Sequence, residues 1–395
     1  MTRLAGNWNY PTAIRFGAGR IGELAAACLE LGVERPLLVT DRHLATLPMV
    51  AAAIRDCEAR GLALRVFSDI SSDPTGDDVA RGAVAARDHV ADGVIAFGGG
   101  SALDAGKAVA FIARQARRLW DFEDAGDNWR RADEAAILPV IAVPTTAGTG
   151  SEVGRAAVIK DEAARVKRII FHPRILPRVV IADPELTVGM PPALTAAVGM
   201  DALSHNLEAW FAAGYHPFAR GIAAEGARLV KEWLPTAVRS PSNLEARSHM
   251  LAAAQAGATA FQRGLGAMHA LAHPLGALYG VHHGLLNAIL MPYVVEANMP
   301  AVADDAALLA RYLDLSPSPD ALLAWILALR REIGIPHTLA KAGAPVIDVP
   351  LVARMATEDP SAATNPIAFD QAAYAGILRR AIAGGLEAQQ ARARA

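Results

Sequence analysis

Short apolar runs alternate with helical stretches through the first half of the chain. The runs that predict buried strands are residues 36–40, 93–97, 137–143 and 179–182. The alanine-rich stretches that predict helices between them are residues 21–31, 47–60 and 75–89. This repeated order of strand, helix and strand predicts a parallel sheet covered by helices, which binds ligands at the carboxyl ends of its strands.

The pattern changes near Pro184, beyond which almost every segment has the periodicity of a helix. The predicted helices are residues 194–211, 218–233, 243–261, 320–333 and 371–383. A chain of 395 residues is too long for one hydrophobic core. We therefore predict two domains, an α/β domain over residues 1–183 and an all-α domain over residues 184–395.

Composition narrows the class of protein. Apolar residues make up 53% of the chain and the formal net charge is -2, which argues against nucleic acid as the main partner. We expect no membrane association, because no apolar stretch is long enough to span a bilayer and the N-terminus lacks a secretory signal. The two cysteines, Cys28 and Cys57, are predicted to be packing residues, which excludes a disulfide scaffold and fits a reducing cytoplasm.

Four of the eleven histidines lie in residues 264–287, which read GLGAMHALAHPLGALYGVHHGLLN. His269 and His273 are four apart and share one face of a helix, while His282 and His283 follow a glycine-containing break. Imidazoles that converge from two segments suit a transition metal. The alternative is a set of buried, hydrogen-bonded core histidines, and the spacing leaves open whether His273 or His283 would join His269.

A second segment, residues 199–208 (GMDALSHNLE), supplies a carboxylate. Asp201 and His205 are four apart, so both project from one face of a helix. With His269 and His283 they offer three nitrogens and one oxygen, a set that suits Fe(II) or Zn(II) better than Ca or Mg. The alternative is an ordinary helix with one solvated polar face.

A glycine-rich loop, residues 98–107 (GGGSALDAGK), follows the predicted strand at residues 93–97. Three glycines allow a sharp turn and a close approach of the backbone to a ligand. Ser101 is expected to be the N-cap of the next helix, with Asp104 three residues on, so that the free N–H groups and the dipole form an anion site to which Lys107 adds charge. The alternative is a tight, well-capped turn without a ligand.

Two further strand ends favour a nucleotide. Residues 144–152 (PTTAGTGSE) place hydroxyls and small side chains after another strand, which suits a phosphate and sugar. Asp41 follows the strand at residues 36–40. Its carboxylate either accepts hydrogen bonds from ribose hydroxyls and repels the 2′-phosphate of NADP, or caps the helix that follows.

Four motifs together carry a family resemblance: residues 98–107, 144–152, 199–208 and 269–284 (HALAHPLGALYGVHHG). In this order they resemble the iron-containing (group III) alcohol dehydrogenases over nearly the whole chain. The resemblance implies the dehydroquinate synthase-like fold of that family, an N-terminal dinucleotide-binding α/β domain and an all-helical C-terminal metal domain, with NAD and the metal meeting in the cleft between them. It also implies Fe(II), with Zn(II) possible, and often a homodimer, in which the extended stretch around residues 12–16 can pair across a two-fold axis.

The resemblance assigns roles position by position. Its metal ligands fall on Asp201, His205, His269 and His283. His273 falls near the nicotinamide and the substrate instead, and Asp41 falls on the position associated with a preference for NAD. The other cofactor contacts that it implies are Asp73, Gly98, Gly99, Gly100, Ser101, Asp104, Thr145, Thr146, Thr149, Lys167 and Leu186.

Two positions need separate comment. The family usually has proline before its last metal histidine, whereas this chain has His282, so a swap of roles between His282 and His283 is open. We keep His283, because Gly284 aligns with the pattern of the family. Arg155 follows the threonine-rich loop and either faces the substrate, which would favour an anionic aldehyde or hydroxy acid, or is a surface arginine.

The predicted function is the NAD-dependent interconversion of a small alcohol and its aldehyde or ketone. The metal would polarise the substrate oxygen, the nicotinamide would exchange the hydride, and His273 would relay the alcohol proton. One alternative is a dehydroquinate-synthase-like lyase that uses NAD transiently, but this needs a strongly cationic pocket and the metal segments carry few lysines or arginines. Another is a metal-dependent hydrolase, which leaves both loops after the strands unexplained.

Overall fold

The computed structural model describes residues 12–344 and 346–386, which form two compact units. The first unit ends at Gly189 and the second begins at Met190. A 3-10 turn at Pro184–Thr187 lies at the end of the first unit. The change of sequence pattern near Pro184 coincides with the start of this turn.

The first unit is an α/β fold. Its strands are β1 (Ala13–Phe16), β2 (Pro36–Val39), β3 (Arg65–Phe67), β4 (Gly93–Gly98), β5 (Val140–Pro144), β6 (Ala156–Asp161), β7 (Val166–Phe171) and β8 (Val179–Ala182). Its helices are α1 (Leu24–Glu30), α2 (Pro48–Ala59), α3 (Gly76–Asp88) and α4 (Gly100–Ile112). The predicted strand at residues 137–143 begins later, at Val140, because Pro139 has no N–H to donate to a neighbouring strand.

Six of these strands form one parallel sheet in the order β1-β8-β5-β4-β2-β3, which confirms the predicted parallel sheet. Strands β2, β4, β5 and β8 are buried along their whole length, as expected for strands covered on both faces. β4 and β5 are neighbours, with Gly98 opposite Pro144. The two loops that follow these strands therefore start side by side at the carboxyl edge of the sheet.

The antiparallel pair of β6 and β7 was not predicted. Its strands mix apolar residues with charged ones such as Lys160, Lys167 and Arg168, so they lack the continuous apolar run of a buried parallel strand. Within the first unit, Cys28 and Cys57 are free and buried in the core, as packing residues.

The second unit is helical throughout its described residues. Its helices are α5 (Pro192–Phe211), α6 (Pro217–Arg239), α7 (Leu244–Ala260), α8 (Ala267–Tyr279), α9 (His283–Tyr312), α10 (Pro319–Glu332), α11 (Val349–Glu358) and α12 (Gln371–Ala383). α5 is the central helix, since every residue from Thr195 to Phe211 is buried. The polar residues of α5 therefore need partners inside the unit, and the alternative of a solvated polar face is wrong.

Helix α9 corrects one expectation from the sequence. By length and composition it is apolar enough to cross a bilayer, although no stretch was predicted to be. In its most apolar window 67% of the residues are buried inside the protein. A core helix of a soluble protein has the same composition as a membrane helix, and α9 is packed as a core helix.

Candidate active site

Helices α5 and α8 bring three potential metal ligands together in the core of the second unit. Asp201 and His205 on α5 and His269 on α8 each offer one donor atom, and these atoms all lie within 4.8 Å of one another. All three residues are at most 5% exposed. A carboxylate buried among imidazoles is costly unless it is compensated, and a divalent cation compensates it, so this donor set fits a metal such as Fe(II) or Zn(II).

The first residue of α9, His283, lies at the edge of this group. Its Nε2 is 3.7 Å from Asp201 Oδ1, and its ring centroid is 5.3 Å from that of His269. Its side chain is 27% exposed, so the group is open to solvent on this side. His282 has a different place, because it is the N-cap of α9 and its Nδ1 accepts a hydrogen bond from Leu285 N. The geometry thus favours His283 over His282 as the fourth ligand.

Close contact between α9 and α5 brings His283 to Asp201. A Cβ atom on Gly284 would lie only 2.6 Å from the carbonyl oxygen of Ala197, a distance that side chains do not tolerate. Glycine at this position therefore lets the start of α9 lie directly against the backbone of α5.

Asn287, one turn after His283, is a site residue that the sequence analysis missed. Its Nδ2 donates to Asp201 Oδ1 at 2.8 Å and lies 3.2 Å from Nε2 of both His269 and His283. Its amide therefore contacts three of the four predicted ligands. The spacing of four residues from His283 was the available signal.

Glu208 is a second residue that was missed, although it ends the motif at residues 199–208. Its Oε2 lies 2.6 Å from Nδ1 of His269, and its Oε1 accepts a hydrogen bond of 2.7 Å from Met268 N. Burial alone would lower the pKa of His269, but the carboxylates of Glu208 and Asp201 outweigh it and the pKa is raised. A cation at Nε2 would compete with the proton that this nitrogen carries in the charged imidazolium.

His273 has a carboxylate partner of its own. Its Nδ1 lies 2.8 Å from Asp359 Oδ2, and its ring stacks on that of His283 with centroids 5.5 Å apart. Burial would raise the pKa of Asp359, but His273 and the N–H of Ser361 outweigh this effect and lower it. His273 is thus beside the ligand group and is oriented by a residue that the sequence analysis did not single out.

In the first unit, the glycine loop packs directly on the threonine loop. α4 begins at Gly100 with Gly99 as its N-cap and without a side-chain cap, so the predicted N-cap role of Ser101 is wrong. The Ser101 hydroxyl instead donates to Ser72 O at 2.6 Å. A Cβ atom on Gly100 would lie 2.6 Å from Thr149 Cγ2, so a larger residue at Gly100 would push the two loops apart.

Asp104 and Lys107 hold these loops together. Lys107 is 1% exposed, lies 3.1 Å from Asp104 Oδ1 and donates to the carbonyl oxygens of Ser151 (2.9 Å) and Ala156. Asp104 accepts hydrogen bonds from the Ser151 hydroxyl and from Val158 N. The ammonium group of Lys107 is therefore bonded within the protein, contrary to the expectation that it would add charge to a phosphate site.

The other predicted cofactor contacts fall into two places. Asp73 and Lys167 form an ion pair of 2.8 Å next to Ser72, the partner of Ser101. Leu186 lies in the core of the first unit, 6% exposed. The remaining predicted contacts of the first unit belong to the segments that follow the neighbouring strands β4 and β5. They are Gly98, Gly99, Gly100, Ser101, Asp104, Thr145, Thr146 and Thr149.

Asp41 and Arg155 each had two interpretations. Oδ1 of Asp41 accepts a hydrogen bond of 2.8 Å from Leu44 N, the first residue of the 3-10 turn Leu44–Thr46, so its carboxylate is bonded to the backbone of this turn although the N-cap residue itself is His43. The guanidinium of Arg155 lies over the ring of Phe171, 5.5 Å from its centroid, and burial lowers its pKa. Arg155 is therefore half-buried against an aromatic ring and is not a freely solvated surface arginine.

Comparisons with known proteins agree with this architecture. Residues 11–184 match the model of the family described as iron-containing alcohol dehydrogenase, and residues 195–382 match that of its C-terminal domain. The chain is 38% identical to a 4-hydroxybutyrate dehydrogenase of Cupriavidus necator, over 94% of this chain and 99% of that protein. It is 34% identical to an NAD-dependent methanol dehydrogenase of Bacillus methanolicus, over 95% and 100% of the two chains.

A solved structure shows the same fold. The crystal structure of a 1,3-propanediol oxidoreductase superposes with a TM-score of 0.88 at 34% sequence identity, covering 95% of this chain and 100% of that one. Both units, the buried group of carboxylate and imidazoles, and the two family matches lead to one conclusion: the chain belongs to the iron-containing alcohol dehydrogenase family and is an oxidoreductase that acts on alcohols.

Proposed function

We propose that this dehydrogenase uses NAD and one divalent metal, Fe(II) or alternatively Zn(II), to interconvert a small alcohol and its aldehyde. The metal ligands in this proposal are Asp201, His205, His269 and His283. The observation that supports it is the convergence of a buried carboxylate and three imidazoles in the second unit. When bound, the cation supplies a Lewis acid that polarises the substrate oxygen, and NAD supplies the hydride acceptor.

The residues of the chain supply position and proton transfer. Asp201 balances part of the cation charge, and Asn287 donates a hydrogen bond to this carboxylate. His273 is the proposed proton relay, because its Nδ1 is bonded to Asp359 and its Nε2 is left to take the alcohol proton. The Asp359 carboxylate fixes the orientation of His273 and stabilises the imidazolium that forms.

NAD is proposed to bind at the two loops of the first unit. The first N–H groups of α4 and its dipole attract the pyrophosphate, and Gly98 to Ser101 let the backbone approach it. Asp41 is proposed to accept hydrogen bonds from the ribose and to disfavour NADP. The further proposed contacts are Asp73, Asp104, Thr145, Thr146, Thr149, Lys167 and Leu186.

The names of the relatives suggest the substrates to test. The names specify 4-hydroxybutyrate, methanol and, for the protein of the superposed crystal structure, 1,3-propanediol. The test is a panel of these alcohols and their aldehydes with enzyme that is purified anaerobically and reconstituted with Fe(II) or Zn(II). We expect NADH formation that depends on the metal and exceeds the rate with NADP. Equal activity after metal removal would refute the metal role, and faster reduction of NADP would refute the role of Asp41.

The lyase alternative is not favoured, because the two relatives named above are both dehydrogenases. We further propose a cytoplasmic homodimer. The two free cysteines fit a reducing compartment, and β1 is an edge strand of the parallel sheet, whose outer side can pair with a second copy. Light scattering on the purified protein tests the dimer.

A further inference from the structure

Glu208 binds His269 on the side of the ring away from the other predicted ligands. Glu208 Oε2 contacts Nδ1 of His269 at 2.6 Å, whereas Nε2 of the same ring lies 3.2 Å from the Asn287 amide, among the donor atoms of the cluster. The exposures of His269 and Glu208 are 2% and 5%. Water therefore does not compete for this contact. Glu208, as the partner of Nδ1, then decides which ring nitrogen of His269 carries the proton.

The Glu208 carboxylate is held in place by the start of α8. Its Oε1 accepts from Met268 N at 2.7 Å, while Asn365 Oδ1 accepts from Ala267 N at 3.0 Å. These are two of the N–H groups that have no partner within the helix. The dipole of α8 favours a negative charge here, so Glu208 acts as an acceptor for both Met268 N and His269 Nδ1.

An acceptor at Nδ1 requires that the proton of His269 be on Nδ1. Nε2 then carries a lone pair directed at Asp201 and the other donor atoms, which is the form of imidazole that binds a metal. We propose that Glu208 is the positioning residue that fixes the tautomer and orientation of His269 for metal binding, in addition to capping α8. This inference rests on the metal site of the proposed function.

The substitution Glu208→Gln separates the two roles of the side chain. The amide oxygen of glutamine still accepts from Met268 N, so the cap is retained. The amide nitrogen donates to Nδ1 of His269, which forces the proton onto Nε2 and directs an N–H group at the metal position. The matched control is Asn365→Ala, which removes the neighbouring acceptor at the start of α8 and does not touch His269.

The measurement is a titration of the metal-free variants with Zn(II) against a competing chelator, together with thermal unfolding of the metal-free forms. We expect Glu208→Gln to weaken Zn(II) binding 10–100-fold, as is typical of a lost outer partner of a ligand. Asn365→Ala should lower the unfolding temperature, because it removes an acceptor that caps the start of α8. It should leave the Zn(II) affinity within about threefold of wild type, because the partner of His269 is unchanged. Equal weakening in both variants, or wild-type affinity in Glu208→Gln, would overturn the inference.

A second readout needs no variant. In Zn(II)-loaded wild-type protein labelled with 15N-histidine, NMR should show a slowly exchanging proton on Nδ1 of His269; a proton on Nε2 would overturn the inference. Failure of the proposed function has a different signature. If wild-type protein binds no Zn(II), the metal site itself is wrong, whereas tight wild-type binding with an unaffected Glu208→Gln variant contradicts the role of Glu208 alone.

Discussion

Replacement of Lys107 by methionine tests how the glycine loop and the threonine loop of the first unit are held together. Methionine keeps most of the apolar stem and removes the ammonium group, which donates to the carbonyl oxygens of Ser151 and Ala156 and pairs with Asp104. Each hydrogen bond to a charged group contributes about 1.5–3 kcal/mol, and the loss of one member of a buried pair costs about 3–5 kcal/mol. We expect the free energy of unfolding of the first unit to fall by about 3–5 kcal/mol.

Thermal unfolding followed by circular dichroism measures this loss. For a unit of this size, 1 kcal/mol corresponds to about 2–4 °C, so the midpoint should fall by roughly 6–20 °C. NAD should also bind more weakly, because the loop at residues 144–152 loses its anchor on α4. The control is Arg60→Met, which breaks a pair with Asp56 whose side chains are 50% and 39% exposed, and which should change stability by less than about 1 kcal/mol. If Lys107→Met unfolds at the same temperature as this control, the buried pair does not stabilise the loops.

Three further predictions concern the second unit. His269→Ala should lose bound metal and activity together; metal analysis that finds wild-type content would refute its place among the ligands. His273→Ala should keep its metal and lower kcat at least about 100-fold, because general acid–base groups contribute factors of this size; loss of the metal in this variant would contradict the separate role of His273. The pKa of Asp359 is held below its ordinary value of 3.8, so its stabilisation is present above that pH and is lost as pH falls through the lowered value. Acid unfolding curves of Asp359→Asn should therefore lack part of the loss of stability that wild type shows below about pH 4, and parallel curves would refute the linkage.

The sequence predicted what depends on local spacing. The four-residue spacing of Asp201 and His205 gave their common helix face, and the apolar run at residues 179–182 gave β8 to the residue. The carboxyl edge of the sheet could also be predicted, because parallel strands place the loops after β4 and β5 together.

The partners of the site residues could not be predicted, because they are distant along the chain. Glu208 and His269 are 61 residues apart, and His273 and Asp359 are 86 apart. No periodicity within one segment reports such a pair. The prediction of Ser101 as the N-cap was wrong for a different reason, because the glycines before it allow α4 to begin earlier, at Gly100. The Ser101 hydroxyl therefore donates to the carbonyl oxygen of Ser72 instead.

The contact between Gly284 and Ala197 has a consequence for ion selectivity. Because no side chain lies between the two backbones here, the start of α9 lies close to α5, and His283 Nε2 is 3.7 Å from Asp201 Oδ1. First-row transition metals bind nitrogen and oxygen at about 2.0–2.2 Å, whereas calcium prefers about 2.3–2.6 Å and more oxygens. A residue with a Cβ atom at position 284 would push the start of α9 away from α5. We therefore expect it to lengthen the distance between His283 and Asp201 and to shift the proposed cation site toward larger ions.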